Sequence, residues 1–278
     1  MRLTQALGKG TGLLGFGGQP GSSGRDARAL LAHALAMAPD RLMIEHDREV
    51  SESEMAVYEA LLHRRLEHEP VSRIIGHRMF WGRDFKITPQ VLDPRPETET
   101  IIAAALERPA PETLLDLGTG SGILAITLLA EWPGARGLAT DISAEALAVA
   151  GANAETLGVA NRLSLLESDW LADVADRFDL IVSNPPYVAA AELPGLAPDV
   201  RDHDPEIALT PGGDGLDAYR ALVPAARDAL TPGGRLMVEI GAAQGVAVAE
   251  IFARAGYAQI AVLPDLDGRA RVVTGLGD

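Results

Sequence analysis

From about residue 111 the chain alternates short aliphatic runs with helical stretches: TLLDLG, the helix ILAITLLAEW, GLATDI, the helix AEALAVAGANAETLG, LSLLESD and FDLIVS. No other feature limits the fold so strongly. Successive strands separated by helices run parallel, because a tight turn can only reverse a strand, and a parallel sheet needs helices on both faces to bury its apolar rows. The pattern predicts an α/β domain with a parallel sheet. Further on, the helix LDAYRALVPAARDAL leads to the strand GRLMVEIG and another helix, and AQIAVLPDLDGRARVVTGL closes the chain as an antiparallel pair.

The N-terminal part has a different period. In residues 1–75, ARALLAHALAM and EMAVYEALLHRRLEHEP carry apolar residues at three- and four-residue spacing, and Ser51 with Glu54 has the spacing of a capping box. A small helical domain follows, with KGTGLLGFGGQPGSSG as a flexible glycine-rich loop between its first two helices. Residues 76–93, GHRMFWGRDFKITPQVLD, turn aromatic and β-branched around a Gly-Arg-Asp turn, which predicts a β-hairpin linker. Residues 94–278 then form the second domain. It opens on Pro94-Arg95-Pro96-Glu97-Thr98-Glu99, a rigid loop whose Glu97 or Thr98 starts a helix.

Bulk properties narrow the functional classes. A chain of 278 residues suits two domains and buries about three quarters of its unfolded surface, and no apolar run is long enough to span a bilayer. The start, MRLTQALGKG, lacks the apolar core of a signal peptide, so a cytoplasmic location is the default. With no cysteine there is no disulfide, thiolate nucleophile or Cys-ligated zinc, and His33, His46, His63 and His68 lack ligand spacing on one helix face, so no metal is expected. A net charge of −15 disfavours a duplex nucleic-acid partner. Arg64, Arg65, Arg73, Arg78 and Arg83 cluster in sequence but read as solvated helix and hairpin surface.

The first strand of the second domain runs through Asp116-Leu117-Gly118-Thr119-Gly120-Ser121-Gly122 straight into a helix, an arrangement that lets backbone approach a nucleotide-like ligand. A Cβ would block that approach. The even spacing of Gly118, Gly120 and Gly122 departs from the G-x-G-x-x-G of dinucleotide sites and favours S-adenosylmethionine over NAD. Asp141 ends the second strand 19 residues after Gly122, where a carboxylate can accept both ribose hydroxyls. At the third strand's end, Ser168-Asp169-Trp170 offers an aromatic face for adenine and, in Asp169, an acceptor for its amino group; otherwise Trp170 plugs the sheet edge. Asp116 either orients the amino-acid end of the cofactor or caps the turn.

The fourth strand ends in Ser183-Asn184-Pro185-Pro186-Tyr187 and meets the same rim, since ligands of open parallel sheets sit beyond the strands' carboxyl ends. A planar nitrogen, in an aromatic amine or a carboxamide, is weakly nucleophilic and needs both positioning and electronic help. The Asn184 side-chain oxygen and the Pro185 carbonyl can each accept one of its N–H groups, aiming the lone pair at a methyl donor and raising electron density on nitrogen. Pro186 fixes the chain and offers no competing N–H, Pro185 keeps its carbonyl free, and Tyr187 can stack on the flat target.

DLGTGSG followed by SNPPY resembles class I S-adenosylmethionine-dependent methyltransferases acting on planar exocyclic nitrogens, which include DNA adenine methylases and protein glutamine methylases. FWGRDFKITPQVLDPRPETE and DPEIALTPGGDGLDAYR are similar to the release factor glutamine methyltransferase family (PrmC/HemK), and with the helical N-terminal domain the likeness covers nearly the whole chain. The resemblance implies a helical domain, a hairpin and a seven-stranded Rossmann-like methyltransferase domain; separately from it, a monomer is expected. It implies a protein substrate, the peptide chain release factors, methylated on the glutamine of their Gly-Gly-Gln motif with release of S-adenosylhomocysteine. By the same resemblance Gly118 to Gly122, Asp141, Trp170 and Asn184 contact the cofactor, and Asn184 to Tyr187 hold the glutamine amide.

Two positions depart from the family's pattern: Asp93 stands where an aliphatic residue usually precedes PRPETE, and the N-terminal loop is rich in glycine. That loop contains Gly17-Gly18-Gln19, which reads as chance rather than a self-methylation site. Residues 189–205 are expected as a mobile flap without a catalytic residue, His203 included. Two other functions share parts of the pattern. An adenine-N6 DNA or RNA methyltransferase shares NPPY but not the PRPETE linker, and a non-catalytic S-adenosylmethionine-binding module would have no need of Asn184.

Overall fold

A computed structural model describes residues 1–17 and 22–277, which fall into two units. The first is Met1–His77 together with the later segment Pro198–His203; the second is Arg78–Ala197 together with the chain from Asp204 onward. The hairpin therefore counts with the second unit apart from His77.

The first unit is helical as expected: α1 (Leu3–Phe16), α2 (Ser23–Ala34), α3 (Arg41–Ile44), α4 (Glu52–Leu66) and α5 (Val71–Ile75). The capping box forms, with the Glu54 amide donating to the Ser51 hydroxyl and the Ser51 amide donating back to the Glu54 carboxylate at 2.8 Å. Leu3, Leu14, Leu30, Leu31, Tyr58 and Leu62 make a buried core. Across it, the Tyr58 hydroxyl donates to the Ala27 carbonyl at 3.0 Å. The glycine-rich loop is the main correction here, because α1 continues through Lys9 to Phe16. Each helical glycine costs about 1 kcal/mol in propensity, but tertiary packing overrides it: a Cβ on Gly10 would lie 1.9 Å from the Tyr58 hydroxyl, so glycine admits the ring. The Gly17-Gly18-Gln19 tripeptide extends outside the described residues.

In the second unit the hairpin pairs β1 (His77–Phe80) with β2 (Arg83–Lys86). Its turn is Trp81-Gly82 rather than the anticipated Gly-Arg-Asp, with both residues left-handed (φ 48° and 71°), the backbone that a two-residue hairpin turn needs to match strand twist. Next come α6 (Glu99–Leu106), β3 (Thr113–Leu117), α7 (Ile123–Glu131), β4 (Arg136–Asp141), α8 (Ala144–Thr156), β5 (Leu163–Glu167) and β6 (Phe178–Ser183). The loop expected as a flap holds a 3-10 turn over Ala190–Gly195 and α9 (Pro198–Arg201), the latter in the first unit. Then follow α10 (Glu206–Leu209), α11 (Asp217–Asp228), β7 (Leu230–Glu239), α12 (Gly245–Arg254), β8 (Ala258–Pro264) and β9 (Ala270–Leu276).

The seven strands lie in the order β5-β4-β3-β6-β7-β9-β8. Those from β3 to β7 are parallel, and β9 inserts antiparallel between β7 and β8. Helices α6, α7 and α8 bury one face and α11 with α12 the other, so Leu114 of β3 packs into one core and its neighbour Leu115 into the opposite one. The chain reverses direction of travel between β3 and β6. A ligand crevice belongs beyond the carboxyl ends of such a pair.

Candidate active site

A cleft of about 650 Å³ opens at that switch point, a size suited to a nucleoside-sized ligand. Asp116, Gly118, Thr119, Gly120, Ser121, Asp141, Asp169, Trp170, Asn184 and Pro186 all line it. The structure thus joins residues from four separate strand ends. Gly122, Pro185 and Tyr187 are not among the lining residues.

The glycine turn explains part of that difference. Gly120 has φ 56° with open space where a Cβ would stand, so glycine serves the left-handed backbone there. Gly122, also left-handed at φ 84°, heads α7, and a Cβ on it would lie 2.6 Å from Ile126 Cδ1. Its role is helix packing, not approach to a ligand. Asp116 is buried beneath the turn: Oδ2 accepts from the Thr119 hydroxyl at 2.7 Å and the Ala125 amide at 3.1 Å, while Oδ1 has no partner among the described residues. Burial pushes its carboxyl up to about 7 against those two hydrogen bonds, with the charge of Asp141 adding to the rise.

Asp141 braces the same turn. Its Oδ2 accepts from the Gly120 amide at 2.8 Å and its Oδ1 from the Ser143 amide at 3.0 Å, leaving lone pairs on both oxygens for a diol. Ile142 adds an apolar wall that sequence reasoning missed; it is half exposed and lines the cleft. Trp170 takes a left-handed backbone (φ 52°), its carbonyl held by the Thr140 hydroxyl, and its ring lies 3.5 Å from where a Cβ on Gly118 would stand. The indole packs partly into the sheet's core as well as lining the cleft, so it is both plug and wall. Asp169 stands exposed beside it.

At the end of β6 the Ser183 hydroxyl donates to the Leu117 carbonyl at 2.7 Å, tying the two switch-point strands together. Asn184 Nδ2 donates to the Thr98 hydroxyl at 3.2 Å, which leaves Oδ1 as the amide's uncommitted acceptor. Pro185 is buried and its carbonyl receives no donor among the described residues. Tyr187 turns away from the anticipated stacking position. Its ring packs into the core under α11 and α12, its hydroxyl donates to Glu239 at 3.4 Å, and its carbonyl accepts from Gln244 Nε2 at 2.9 Å. Burial of the large ring and the Gln244 clamp set that direction.

Thr98 and Glu239 are the site residues that sequence reasoning passed over in this role. The sequence marks Thr98 only as a helix start, yet its side chain is buried and reaches Asn184. Glu239 ends β7 beside β6 and is 1% exposed. The signal was present in LMVEI, where a carboxylate interrupts a buried apolar strand at its carboxyl end. Burial pushes Glu239 up to about 7, aided by the charge of Glu97 and opposed by the Thr98 hydroxyl, the Arg271 charge and the Tyr187 hydroxyl. Its Oε2 has no partner at hydrogen-bond distance among the described residues, although Thr98 is near enough to favour the ionised form.

A mostly parallel seven-stranded sheet with this strand order and one antiparallel strand, a glycine turn over a buried aspartate and a second carboxylate on the next strand define a class I methyltransferase domain. The Methyltransferase small domain family matches residues 97–198, and the PrmC N-terminal domain family matches residues 5–76. A solved methyltransferase from Pyrococcus furiosus shares the fold at a TM-score of 0.54 and 19% identity, covering 71% of this chain and 90% of that one. The release factor glutamine methyltransferase of Cereibacter sphaeroides is 57% identical over 250 residues, 90% of each chain. That of Moorella thermoacetica is 43% identical over 276 residues, 98% of this chain and 97% of its own. The chain belongs to the release factor glutamine methyltransferase family.

Proposed function

We propose that this protein transfers a methyl group from S-adenosylmethionine to the side-chain amide nitrogen of the glutamine in the Gly-Gly-Gln motif of peptide chain release factors. What supports this reading is the Asn184 carboxamide, which lines the cleft: with Nδ2 donating to Thr98, Oδ1 is left to accept one proton of a planar NH₂, and the neighbouring Pro185 carbonyl, which takes no donor among the described residues, can accept the other. Family membership supplies the substrate class.

The residues of the cleft suit the cofactor. Asp116 Oδ1 is a buried acceptor in need of a donor, which the ammonium of an amino-acid tail would provide, and Asp141 offers lone pairs to ribose hydroxyls. Trp170 and Ile142 supply flat and aliphatic surface for a purine. When bound, S-adenosylmethionine supplies an electrophilic methyl on a sulfonium. The protein's own part is positional and electrostatic. Asn184 and Pro185 draw the amide protons aside, stop the nitrogen from rotating, and stabilise positive charge as it develops there. No covalent enzyme intermediate is needed, and the amide's extra proton leaves readily once the nitrogen is cationic.

Transfer of labelled methyl to three acceptors tests the proposal: release factor, release factor whose Gly-Gly-Gln glutamine is replaced by alanine, and duplex DNA. Label on the first alone is the expected outcome. Label on DNA, or undiminished label on the alanine variant, would overturn it in favour of an adenine-N6 activity or another protein site.

A further inference from the structure

The stretch Asn184-Pro185-Pro186-Tyr187 has to hold two acceptors still, yet Pro185 and Pro186 bring no N–H with which to tie it down. Their rings fix φ, and a proline in the following place keeps the ψ of Asn184 and of Pro185 extended. The stretch is therefore a short stiff rod whose direction is set where its ends are held. At the amino end the Ser183 hydroxyl donates to the Leu117 carbonyl and Asn184 Nδ2 to Thr98. At the other end stands Gln244, just ahead of α12. Its Oε1 accepts from the Gly241 amide at 3.0 Å; an N–H can only donate, so the oxygen faces Gly241 and Nε2 is turned the other way. There Nε2 donates to the Tyr187 carbonyl at 2.9 Å and to the Gly215 carbonyl at 3.4 Å. The backbone of Gln244 is fixed as well, its amide donating to the Gly241 carbonyl at 2.8 Å and its carbonyl accepting from the Val248 amide at 2.9 Å.

The stretch TPGGDG, residues 210–215, packs against the same carbonyl. The Gly213 carbonyl accepts from the Ala190 amide at 3.1 Å. Gly215 is left-handed at φ 81°, and a Cβ on it would lie 2.4 Å from the Tyr187 carbonyl oxygen and 3.1 Å from Gln244 Nε2. A Cβ on Gly241 would lie 2.9 Å from Gln244 Oε1. Glycine at both places lets the carboxamide and the neighbouring backbone meet. Neither Gln244 nor Gly215 lines the cleft, so they bear on the reaction only through the loop they hold. We infer that Gln244, with Gly215 packed against it, is a positioning residue for methyl transfer: it holds the Tyr187 carbonyl, and through the stiff Pro185-Pro186 rod it aims the Pro185 carbonyl and the Asn184 carboxamide. The inference rests on the reading of those two groups as acceptors for the target amide.

Steady-state kinetics on release factor, with calorimetric binding of S-adenosylhomocysteine, separate positioning from mere structure. Gln244→Met keeps the length and loses the hydrogen-bonding atoms; kcat should fall about 100-fold, the cost of a misplaced reacting group, with cofactor affinity held within about twofold. Two glycine variants carry the test should Gln244→Met fail to fold. Gly215→Ala drives a Cβ onto the Tyr187 carbonyl and should lower kcat about 10-fold or more, again at unchanged cofactor affinity. Gly212→Ala places the same kind of left-handed strain (φ 87°) in the same loop with open space around its Cβ, and should keep the wild-type kcat. Wild-type kcat in Gln244→Met would overturn the inference, as would a loss of cofactor affinity in step with kcat, or equal falls in the two glycine variants. Asn184→Ala keeps the two readings apart. If it turns over normally, the acceptor role itself fails; if it is inactive while Gln244→Met is fully active, the clamp alone fails.

Discussion

The buried carboxyl of Asp116 should make cofactor binding depend on pH in a way that its surroundings allow to be worked out. Burial raises it from an ordinary 3.8 to about 7, with Oδ2 saturated by Thr119 and Ala125 and Oδ1 bare. A cationic ammonium can only be welcomed by the ionised form. Below about pH 7 a proton must leave before binding, and each further pH unit costs a factor of ten. Between about pH 8 and about pH 6 the affinity for S-adenosylhomocysteine should therefore fall about tenfold. Folding without ligand shows the opposite trend. The folded value lies above the unfolded one, so this group's contribution to stability is full below about pH 4 and is lost as pH rises through about 7. Asp116→Asn should accordingly raise the melting temperature of the free protein at about pH 8, weaken cofactor binding, and leave the weakened affinity flat with pH. Isothermal titration across that range measures the affinities, and differential scanning calorimetry the melting. Wild-type affinity that does not change between the two pH values, or an asparagine variant that binds as well as wild type, would refute the reasoning.

Three further perturbations probe the scaffold. Trp170→Ala should weaken S-adenosylhomocysteine about 10- to 100-fold by removing a stacking face, which fluorescence or calorimetric titration would detect; an unchanged affinity would leave the ring only its core-plugging role. Gly122→Ala puts a Cβ 2.6 Å from Ile126 Cδ1 on a backbone at φ 84°, and should cost about 1–3 kcal/mol in denaturant unfolding of the second unit. Asp26→Ala in the first unit removes the carboxylate 3.0 Å from the nearly buried Arg65, whose guanidinium keeps the Glu69 carbonyl as an acceptor, and should cost about 1–3 kcal/mol, measured in the same way.

Much of the architecture was legible because parallel strands and helices leave different periods in the chain. TLLDL, GLATD and FDLIV became β3, β4 and β6 close to where their apolar runs lie, and the residues at their carboxyl ends meet in one cleft. The glycine-rich stretch before residue 17 hides its helix because local propensity argues against one there. The compensating contact, Gly10 against Tyr58, spans residues far apart in sequence. The direction of Tyr187 is hidden for a related reason. Its direction depends on Gln244 and on a core built from two later helices, neither visible in NPPY itself. Thr98 and Glu239 were hidden because one hydroxyl ahead of a helix and one carboxylate in a strand carry no spacing signal; only the tertiary fold brings Thr98 to Asn184 and pairs the strand that ends in Glu239 with the strand that leads into Asn184.

The account turns on one nitrogen atom. Tandem mass spectrometry of a release factor incubated with this protein and methyl-deuterated S-adenosylmethionine would locate the transferred group directly. The account predicts the label on the side-chain amide nitrogen of the Gly-Gly-Gln glutamine and nowhere else in the substrate. A labelled release factor with that amide unmodified, or label on any oxygen or aliphatic amine, would contradict it.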